Sequence, residues 1–504
     1  MKKSTKTSAL VLALLSVTAG LASCGETPAT GPKNVEWWVP CGTDTTGNTI
    51  FAYCNDMATA FNESQDDYIV NVVSKGSKSN DYGGTASAVS DALTGGNTPN
   101  MVTTYGTYVA AWRKASAEAV ADVTDHGKTL EKDADFNQRY LDVERQQYGG
   151  EKYFSLPYSK SGEVYQYNVE AFKAVGSAPA GAVIENGYPA PAARAEKTAY
   201  EVPTTIKGIM ELSRRIKADY PNIAWGRGED KYYQAVPFIY ESSMNLFVTA
   251  LESAGIPFMD ASKPLTQSVT WLDDARAKEV VKELKKWSNE GLFATANQLP
   301  MRNASSHEYP STFIGKGNAF SMITSTANAP WDAADGYSIG FAKVQKWDDT
   351  AAFKSLSQGP SIAFFNHQDE GELKGALAFY DFLTSKENSA RLALDTSYFP
   401  TRASSYETEG IKAAIENAKK TVTYETDYAT KKSAYLGDVL NLNNEATSNN
   451  EYFMSPVNEL SGKVRSAVSG MLSNLFNDVA TIEDSAISDM VDAEFVKARN
   501  SIFA

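Results

Sequence analysis

Short apolar runs alternate with helical stripes along the first part of the chain. Residues 35–39, VEWWV, form an apolar run bounded by turn residues, which predicts a buried strand. The pattern then predicts a helix over 48–62, a strand over 68–73, a helix over 86–93 and a third strand over 100–104. This strand–helix order is typical of an α/β fold with a mostly parallel sheet flanked by helices.

Amphipathic stripes continue through the rest of the sequence. Apolar residues recur at helical spacing over 205–220, 273–289 and 372–383, which predicts helices that pack one face on a core. Thr384 and Glu387 have the spacing of a capping box, so Thr384 is predicted to open the next helix. These stripes indicate core positions and not cofactor contacts.

The length of the chain predicts more than one structural lobe. With 504 residues, of which 42% are hydrophobic, the chain exceeds one simple domain and predicts two lobes of about 150–250 residues each. Residues 177–204 are rich in Pro and Ala and are predicted to form a surface insertion. The stretch 404–450 is polar and helical in parts.

The N-terminus has the parts of a secretory signal. Lys2, Lys3 and Lys6 precede the apolar residues 9–17, which are too few to span a bilayer as a helix. The sequence Leu21-Ala22-Ser23-Cys24 then resembles a bacterial lipobox, at the distance from the apolar segment that such a motif requires. The alternative is an ordinary cleaved signal peptide followed by a chance cysteine.

The lipobox interpretation predicts processing and location. Residues 1–23 would be removed as a signal peptide, and Cys24 would carry the lipid that holds the protein on the outer face of the cell membrane. Residues 24–34 contain Gly, Pro and Thr and are predicted to be a tether. We therefore expect an extracytoplasmic, lipid-anchored protein.

Charge and composition exclude several functions. The chain has 47 Lys and Arg against 61 Asp and Glu, a net charge of −14, which argues against a nucleic-acid partner. Three His and three Cys cannot build a multi-cysteine zinc scaffold or a dense disulfide framework. Cys41 and Cys54 would both be outside the cell, and either a disulfide or two separate thiols fits the sequence.

No catalytic set is present as a motif. His126, His307 and His367 are far apart and lack metal-ligand spacing, and neither a nucleophile elbow nor a phosphate-binding glycine loop occurs. We therefore predict no catalytic residue, no metal and no cofactor. One rival class is a lipid-anchored glycan-degrading enzyme, because two carboxylates far apart in sequence can meet in a fold. A surface adhesin is the third class.

Six segments carry a resemblance to a known family. The strongest is Gly150-Glu-Lys-Tyr-Phe-Ser-Leu-Pro157 followed by Val164-Tyr-Gln-Tyr-Asn168, which is similar to the family pattern G-K-x-Y-x-L-P…L-x-Y-N. The others are residues 92–102 (where Asn100 replaces the family's Asp), 202–206, 313–319, 357–361, and 382–387 with 397–402. Together, in this order, they resemble the extracellular solute-binding proteins of carbohydrate ABC importers, the maltose-binding-like group.

The resemblance implies a two-lobed fold of the periplasmic-binding-protein type, with a multi-strand hinge and ligand between lobes that close on it. The chain would cross the hinge near 160–164, 358–361 and 401–402. The first lobe would comprise residues 35–160 plus 359–400, and the second 161–358 plus 401–504. The implied function is that a monomer captures a sugar or oligosaccharide and delivers it to the permease subunits of an ABC transporter.

Candidate ligand contacts come from the loops and the motifs. Tyr and Trp offer flat apolar faces to sugars and keep a polar edge, and the loops at 40–47 and 105–108 follow predicted strands, where ligands of such sheets bind. By the resemblance, Ser161 lies where the family has a polar contact, and Trp331 follows the Gly-Lys motif. The full set is Asp44, Tyr105, Tyr108, Ser161, Trp225, Tyr233, Ser325, Trp331, Gly359 and Tyr398.

Two alternatives accompany this site. Any single aromatic could be a core residue instead. The solute could also be of the glycerol-phosphate type, which would need Lys160 or Arg402 as a charged donor to the phosphate. For Arg402, a salt bridge at the hinge or surface is the favoured interpretation.

Overall fold

The computed structural model describes residues 31–44, 50–78, 80–173, 198–221, 223–260, 262–304, 306–328, 332, 337–423, 425–454, 456–477 and 483–504. The predicted signal peptide, Cys24, most of the predicted insertion at 177–204, and Trp331 lie outside the described residues. In the described ranges, no helix combines the length and apolarity that crossing a membrane requires.

Strands and helices alternate through the described chain. The strands are β1 (Lys33–Val39), β2 (Tyr68–Ser74), β3 (Met101–Thr104), β4 (Ser155–Pro157), β5 (Glu163–Asn168), β6 (Gly226–Arg227), β7 (Tyr233–Ala235), β8 (Phe238–Tyr240), β9 (Phe293–Thr295), β10 (Met301–Asn303), β11 (Ser306–His307), β12 (Ser321–Ser325), β13 (Ile339–Ala342), β14 (Ser355–Leu356), β15 (Ser361–Phe364) and β16 (Tyr452–Phe453). The helices are α1 (Ile50–Ser64), α2 (Tyr82–Gly95), α3 (Gly106–Ala115), α4 (Thr124–Glu131), α5 (Gln138–Gln146), α6 (Val169–Phe172), α7 (Ile206–Asp219), α8 (Ser243–Ser253), α9 (Ala275–Asn289), α10 (Pro310–Gly315), α11 (Glu370–Leu383), α12 (Lys386–Thr396), α13 (Glu409–Ala418), α14 (Tyr428–Ser448), α15 (Ser461–Asn477) and α16 (Asp484–Phe503).

The first lobe is built on a five-stranded sheet in the order β2-β1-β3-β15-β4. Strand β1 pairs in parallel with β2 and β3, as its apolar run predicted, because it is buried on both faces by helices. Strand β15 enters antiparallel between β3 and β4. Trp37 in β1 is fully buried and meets Phe379 edge-on at a ring separation of 5.4 Å, which ties the sheet to α11.

The second lobe has its own five-stranded sheet, in the order β13-β5-β12-β8-β9. Strand β8 is parallel to β12 and β9, whereas β5 is antiparallel to β12 and β13. Trp271 lies at the centre of the core and contacts Phe247 and Phe495 edge-on, each at 5.1 Å between ring centres. Helices α8, α9, α15 and α16 pack around Trp271 and contribute the apolar side chains of this core. The two-lobed α/β fold predicted from the sequence is confirmed.

Two extended segments connect the lobes side by side. The chain passes from β4 to β5 through residues 158–162 and from β14 to β15 through residues 357–360. Ser161 and Gln358 exchange two backbone hydrogen bonds of 2.9 Å. A third segment joins them where the Phe399 amide donates to the Lys160 carbonyl at 2.7 Å. Helices α13 and α14 then pack behind the hinge, against α12 and β13.

Local capping differs from the sequence prediction at α12. Thr384 does not begin this helix: its hydroxyl donates to the Tyr380 carbonyl at 2.9 Å, which keeps Thr384 on the end of α11. Ser385 is the N-cap, since its side chain accepts from the Asn388 amide. Sequence spacing could not separate these neighbours, because both carry a hydroxyl that can cap a helix.

Cys41 and Cys54 are two buried free thiols in the core of the first lobe. Burial raises the pKa of Cys41 to about 12, so its thiol stays protonated at neutral pH. Of the two arrangements that the sequence allowed, the structure shows the separate thiols.

Candidate functional site

A cavity of about 750 Å³ lies between the two lobes and has the hinge segments as its floor. The loop after β3 and the start of α2 form its first-lobe wall, and α8, α15 and the end of β12 form the wall opposite. This is the carboxyl end of the parallel strands, where α/β sheets bind their ligands. Both lobes and the hinge therefore contribute side chains to one cleft.

A larger depression of about 920 Å³ lies on the outside of the first lobe, and charged side chains line it. Several of those charges pair with one another: Lys152 pairs with Asp122 at 2.7 Å, and Arg145 pairs with Asp142 at 3.0 Å. Its lining within the described residues includes no aromatic side chain. The cavity between the lobes is therefore the better candidate for binding a small molecule.

Tyrosines dominate the first-lobe wall. Tyr105 immediately follows β3 and occupies the N-cap of α3, with an extended backbone that turns its side chain into the cavity opening. Its ring meets Tyr82 edge-on at 4.7 Å, and Tyr108 stacks on Trp112 at 6.4 Å. Burial raises the pKa of Tyr105, so its phenol keeps its proton and can donate a hydrogen bond.

The loop after β3 also needs Gly106. A Cβ at this position would overlap the side-chain amide of Gln147, another residue of the cavity wall. The missing side chain therefore lets α5 approach the start of α3 closely. This packing holds Tyr105 and Tyr108 on one side of the cavity.

A buried ion pair lies under the first-lobe half of the cavity. The Lys160 ammonium is 3.0 Å from Glu144 and donates to the Ser361 hydroxyl at 2.6 Å, and both charged side chains are fully buried. Glu144 also accepts from Ser361 at 2.6 Å and from Gln147 at 2.5 Å. These bonds join Lys160 of the first hinge segment and Ser361 of β15 to α5.

Glu163 occupies the second-lobe half of the floor. Its carboxyl group accepts hydrogen bonds from Tyr240 at 2.8 Å, Asn245 at 3.0 Å and Thr249 at 3.2 Å. Asn245 also donates to the side chain of Gln358 at 3.1 Å, which links this group to the hinge. Burial outweighs the three hydrogen bonds and raises the pKa of Glu163 to about 7.

The opposite wall is held by hydrogen bonds within the second lobe. Glu241 accepts from the Thr324 hydroxyl at 2.6 Å, beside Ser325 at the end of β12. Ser242 caps α8 by accepting from the Asn245 amide. Hydrogen bonds within the second lobe thus fix polar side chains along this wall.

The C-terminal segment bridges the two lobes beside the cavity. The Val457 amide donates to the Gln147 carbonyl at 3.0 Å, and Lys114 of α3 pairs with Glu459 at 3.1 Å. Arg139 also donates to the Tyr452 carbonyl. These contacts place α15, and with it Arg465, against the first-lobe wall.

Four of the residues proposed from the sequence meet at this cavity: Tyr105, Tyr108, Ser325 and Gly359. Ser161 lies in the adjoining hinge, buried and paired with the backbone of Gln358. That these residues contact a ligand stays a prediction.

The other proposed residues that the structure describes lie elsewhere, and Trp331 is outside the described residues. Tyr233 is fully buried in a second-lobe cluster, and Trp225 packs on Phe320 while its indole donates to the Tyr220 carbonyl at 2.9 Å. Tyr398 lies behind Tyr82, beside a smaller internal cavity. Asp44 is exposed and is not among the described residues that line the site.

Sequence reasoning missed several lining residues. Tyr82, Gln147, Glu163, Asn245 and Arg465 all face the cavity. Gln147 precedes the strongest motif and Glu163 lies between its two parts, 150–157 and 164–168, so both could have been found there. Nothing in the sequence near Arg465 distinguishes it from a surface residue of an amphipathic helix.

The two cations proposed as phosphate donors, Lys160 and Arg402, are both paired with other groups of the protein. Lys160 is buried against Glu144, and Arg402 bonds Asp133 at 2.6 Å and the Thr384 carbonyl. Arg402 does not line the cavity within the described residues, and its salt bridge fixes the segment after Phe399 on the first lobe. In the same described ranges, no cluster of three His, Cys, Asp or Glu side chains could hold a metal ion.

Solved structures share this fold across nearly the whole chain. A cyclic α-maltosyl-1,6-maltose binding protein from Arthrobacter globiformis has a TM-score of 0.64 at 15% identity, over 94% of this chain and 99% of its own. UgpB from Mycobacterium tuberculosis, in complex with glycerophosphocholine, has a TM-score of 0.60 at 13% identity, over 94% and 98%. The maltose/maltodextrin-binding domain MalE from Bdellovibrio bacteriovorus, bound to maltotriose, has a TM-score of 0.57 at 11% identity, over 92% and 99%.

At these identities the likeness shows the fold alone. No curated relative matches the chain by sequence. A family model described as bacterial extracellular solute-binding protein does match, over residues 56–419. That match covers most of both lobes and the hinge, and the chain therefore belongs to the family of bacterial extracellular solute-binding proteins.

Proposed function

We propose that this chain is the substrate-binding subunit of an ABC import system, which captures a sugar or oligosaccharide between its lobes and delivers it to the membrane permease. The observation that carries the proposal is the cavity of about 750 Å³, with tyrosines on one wall and fixed polar groups on the other. Its size lies within the range of small-molecule sites, roughly 300–1,000 Å³.

The lining suits the two surfaces of a sugar. Tyr105 and Tyr108 are half-buried and offer ring faces to C–H groups, while Asn245, Gln358 and Ser325 offer hydrogen bonds to hydroxyls. Each polar group is already held by neighbours, so little side-chain entropy is lost on binding. The sugar-binding proteins from Arthrobacter globiformis and Bdellovibrio bacteriovorus, which share the fold, support this ligand class.

The lining carboxyl groups favour binding over catalysis. Asp81 caps α2 by accepting from the Gly84 amide, Glu241 accepts from Thr324, and Glu163 is bonded to three donors. Each carboxyl group is thus used by the fold, whereas a glycosidase needs a pair free to reach one glycosidic bond. Family membership supports the same assignment.

A second candidate ligand is a glycerol-phosphate-type solute. UgpB from Mycobacterium tuberculosis, which shares the fold, was solved with glycerophosphocholine. Such a ligand requires a cation in the cavity, and this separates it experimentally from a neutral sugar.

Anchoring belongs to the same proposal. A lipid on Cys24, with residues 24–34 as a tether, would keep a monomer near the permease on the outer face of the membrane. Family membership supports the extracytoplasmic location.

A thermal-shift screen tests the function directly. Purified protein would be melted with mono- and oligosaccharides, glycerol phosphates and amino acids. A ligand at one hundred times its dissociation constant adds about 2.7 kcal/mol of stability, which shifts the melting temperature clearly. Shifts with sugars support the main proposal, and shifts with glycerol phosphates alone favour the second candidate. Release of product from a glycan would instead identify an enzyme.

A further inference from the structure

One cation in the cavity has no partner within the described chain. Arg465, in the second turn of α15, lines the cavity and forms no hydrogen bond or ion pair with the described residues. Lys160 in the floor differs, because Glu144 neutralises it. Lys78, on the loop after β2, also lines the cavity, but it interacts electrostatically with Asp81.

The surroundings of Arg465 leave its charge uncompensated. Tyr105 and Tyr108 of the first lobe are near enough to interact with it electrostatically. The Arg465 side chain is exposed within the open cavity, and the protein around the cavity lowers the pKa of the guanidinium by desolvation. An arginine remains protonated at neutral pH even so. A cation that faces the cavity without a counter-ion can form charge-assisted hydrogen bonds with an arriving anion.

None of the cavity's carboxyl groups supplies that counter-ion. Asp81 accepts from Ser77 and Gly84, and Glu241 accepts from Thr324. Glu163 is surrounded by three donors in the floor. Each is bonded within its own lobe, and none lies within ion-pair distance of the guanidinium in the described residues.

We infer that the solute taken by this cavity carries an anionic group, a carboxylate or a phosphate, which Arg465 binds between the lobes. The inference rests on the proposed function and specifies its substrate class: an acidic sugar or a phosphorylated polyol. A guanidinium offers two parallel donors to either group. The protonated phenol of Tyr105, on the facing lobe, can add a third. An anion held from both lobes would also favour the closed state.

Calorimetric titration with matched pairs tests this. The pairs are trigalacturonic acid with its methyl ester, glucuronic acid with glucose, and glycerol 3-phosphate with glycerol. The first two pairs report a carboxylate and the third a phosphate. Wild-type protein should bind the anionic member of at least one pair at least about tenfold more tightly than its neutral partner.

Three variants separate Arg465 from general electrostatics. Arg465→Gln should abolish the preference for the anion, and Arg465→Lys should keep part of it. Lys463→Met, which removes the same charge from an exposed position of α15 outside the cavity lining, should leave the preference intact. Melting temperatures should stay within a degree or two of wild type, because Arg465 supports no hydrogen bond of the fold.

The outcomes also distinguish this inference from the proposed function on which it rests. Binding of a neutral member as tight as its anionic partner would overturn the inference and leave the solute-binding proposal standing. The same holds if Arg465→Gln weakens neutral and anionic members equally, since the guanidinium would then serve hydroxyl groups. Absence of binding across all pairs and across the wider thermal-shift screen would overturn both.

Discussion

Removing either member of the buried Glu144–Lys160 pair should destabilise the protein, and by unequal amounts. In Glu144→Gln, the Lys160 ammonium would remain buried without an opposite charge, and only neutral oxygens, those of Ser361 and of the new amide, could accept from it. In Lys160→Met, the Glu144 carboxylate would keep donors from Ser361, Gln147 and Ser155. The two variants therefore leave different charges with different numbers of hydrogen bonds.

The expected sizes follow from those partners. Breaking a buried ion pair costs about 3–5 kcal/mol when one charge is left without compensation, which describes Glu144→Gln. Lys160→Met should cost less, about 1–3 kcal/mol, because three hydrogen bonds still stabilise the carboxylate. The double variant with methionine at both positions should cost less than Glu144→Gln alone, because no buried charge remains.

Urea denaturation at pH 7 would measure these differences, provided the slope with denaturant is unchanged. Lys282→Met serves as the control, since Lys282 forms an exposed pair with Glu279 at 2.8 Å and should cost a few tenths of a kcal/mol. The reasoning is refuted if Lys160→Met costs as much as Glu144→Gln, or if both cost less than about 1 kcal/mol. The second result would mean that water reaches the pair.

Four further perturbations test other parts of the account. Gly359→Ala should lower the melting temperature markedly, because Gly359 has φ +91° and a Cβ there would overlap the Ser159 carbonyl; an unchanged melt contradicts this. Folding raises the pKa of Glu163 from 4.5 to about 7, so protonation of this carboxyl group stabilises the fold fully below about pH 4.5. This stabilisation, on the order of 3 kcal/mol, is lost as the pH rises through 7. Glu163→Gln should remove this pH dependence of the free energy of unfolding between pH 5 and 8, and an unaltered pH dependence contradicts the raised pKa of Glu163. Tyr105→Ala should weaken ligand binding by about 1–3 kcal/mol in calorimetry with little change in denaturant midpoint, whereas a large loss of midpoint would assign the ring to the core. Cys24→Ser should release the protein from the membrane fraction without detergent, and retention there would exclude the lipid anchor.

The central elements of the first lobe were predictable, because their patterns are local. The run 35–39 and the stripes around it define β1, α1 and β2 to within a few residues. Strand β15 was accessible only through the family resemblance. Ser361–Phe364 is four residues long, and its partners in β3 and β4 lie more than two hundred positions earlier. Pairing over such distances depends on the whole chain.

The candidate site was predictable where it follows a strand. Tyr105 and Tyr108 were placed because loops after parallel strands meet at one edge of a sheet. Tyr233 could not be separated from them, since an aromatic in a three-residue strand resembles one in a loop until packing is known. Arg465 was missed because only the docking of α15 against α3 brings it to the cavity.

The most direct test of ligand binding between the lobes is to fill the cavity. Ser466 is an exposed residue of α15 on the cavity wall, and Ser469, also exposed, lies on the same helix away from it. Calorimetric titration of a solute identified by the thermal-shift screen into Ser466→Trp and Ser469→Trp compares a blocked cavity with an open one. The account predicts that Ser466→Trp loses at least about tenfold in affinity, while Ser469→Trp binds as wild type and both melt normally. Full affinity in Ser466→Trp would contradict the account, because the solute would then bind outside the cavity between the lobes.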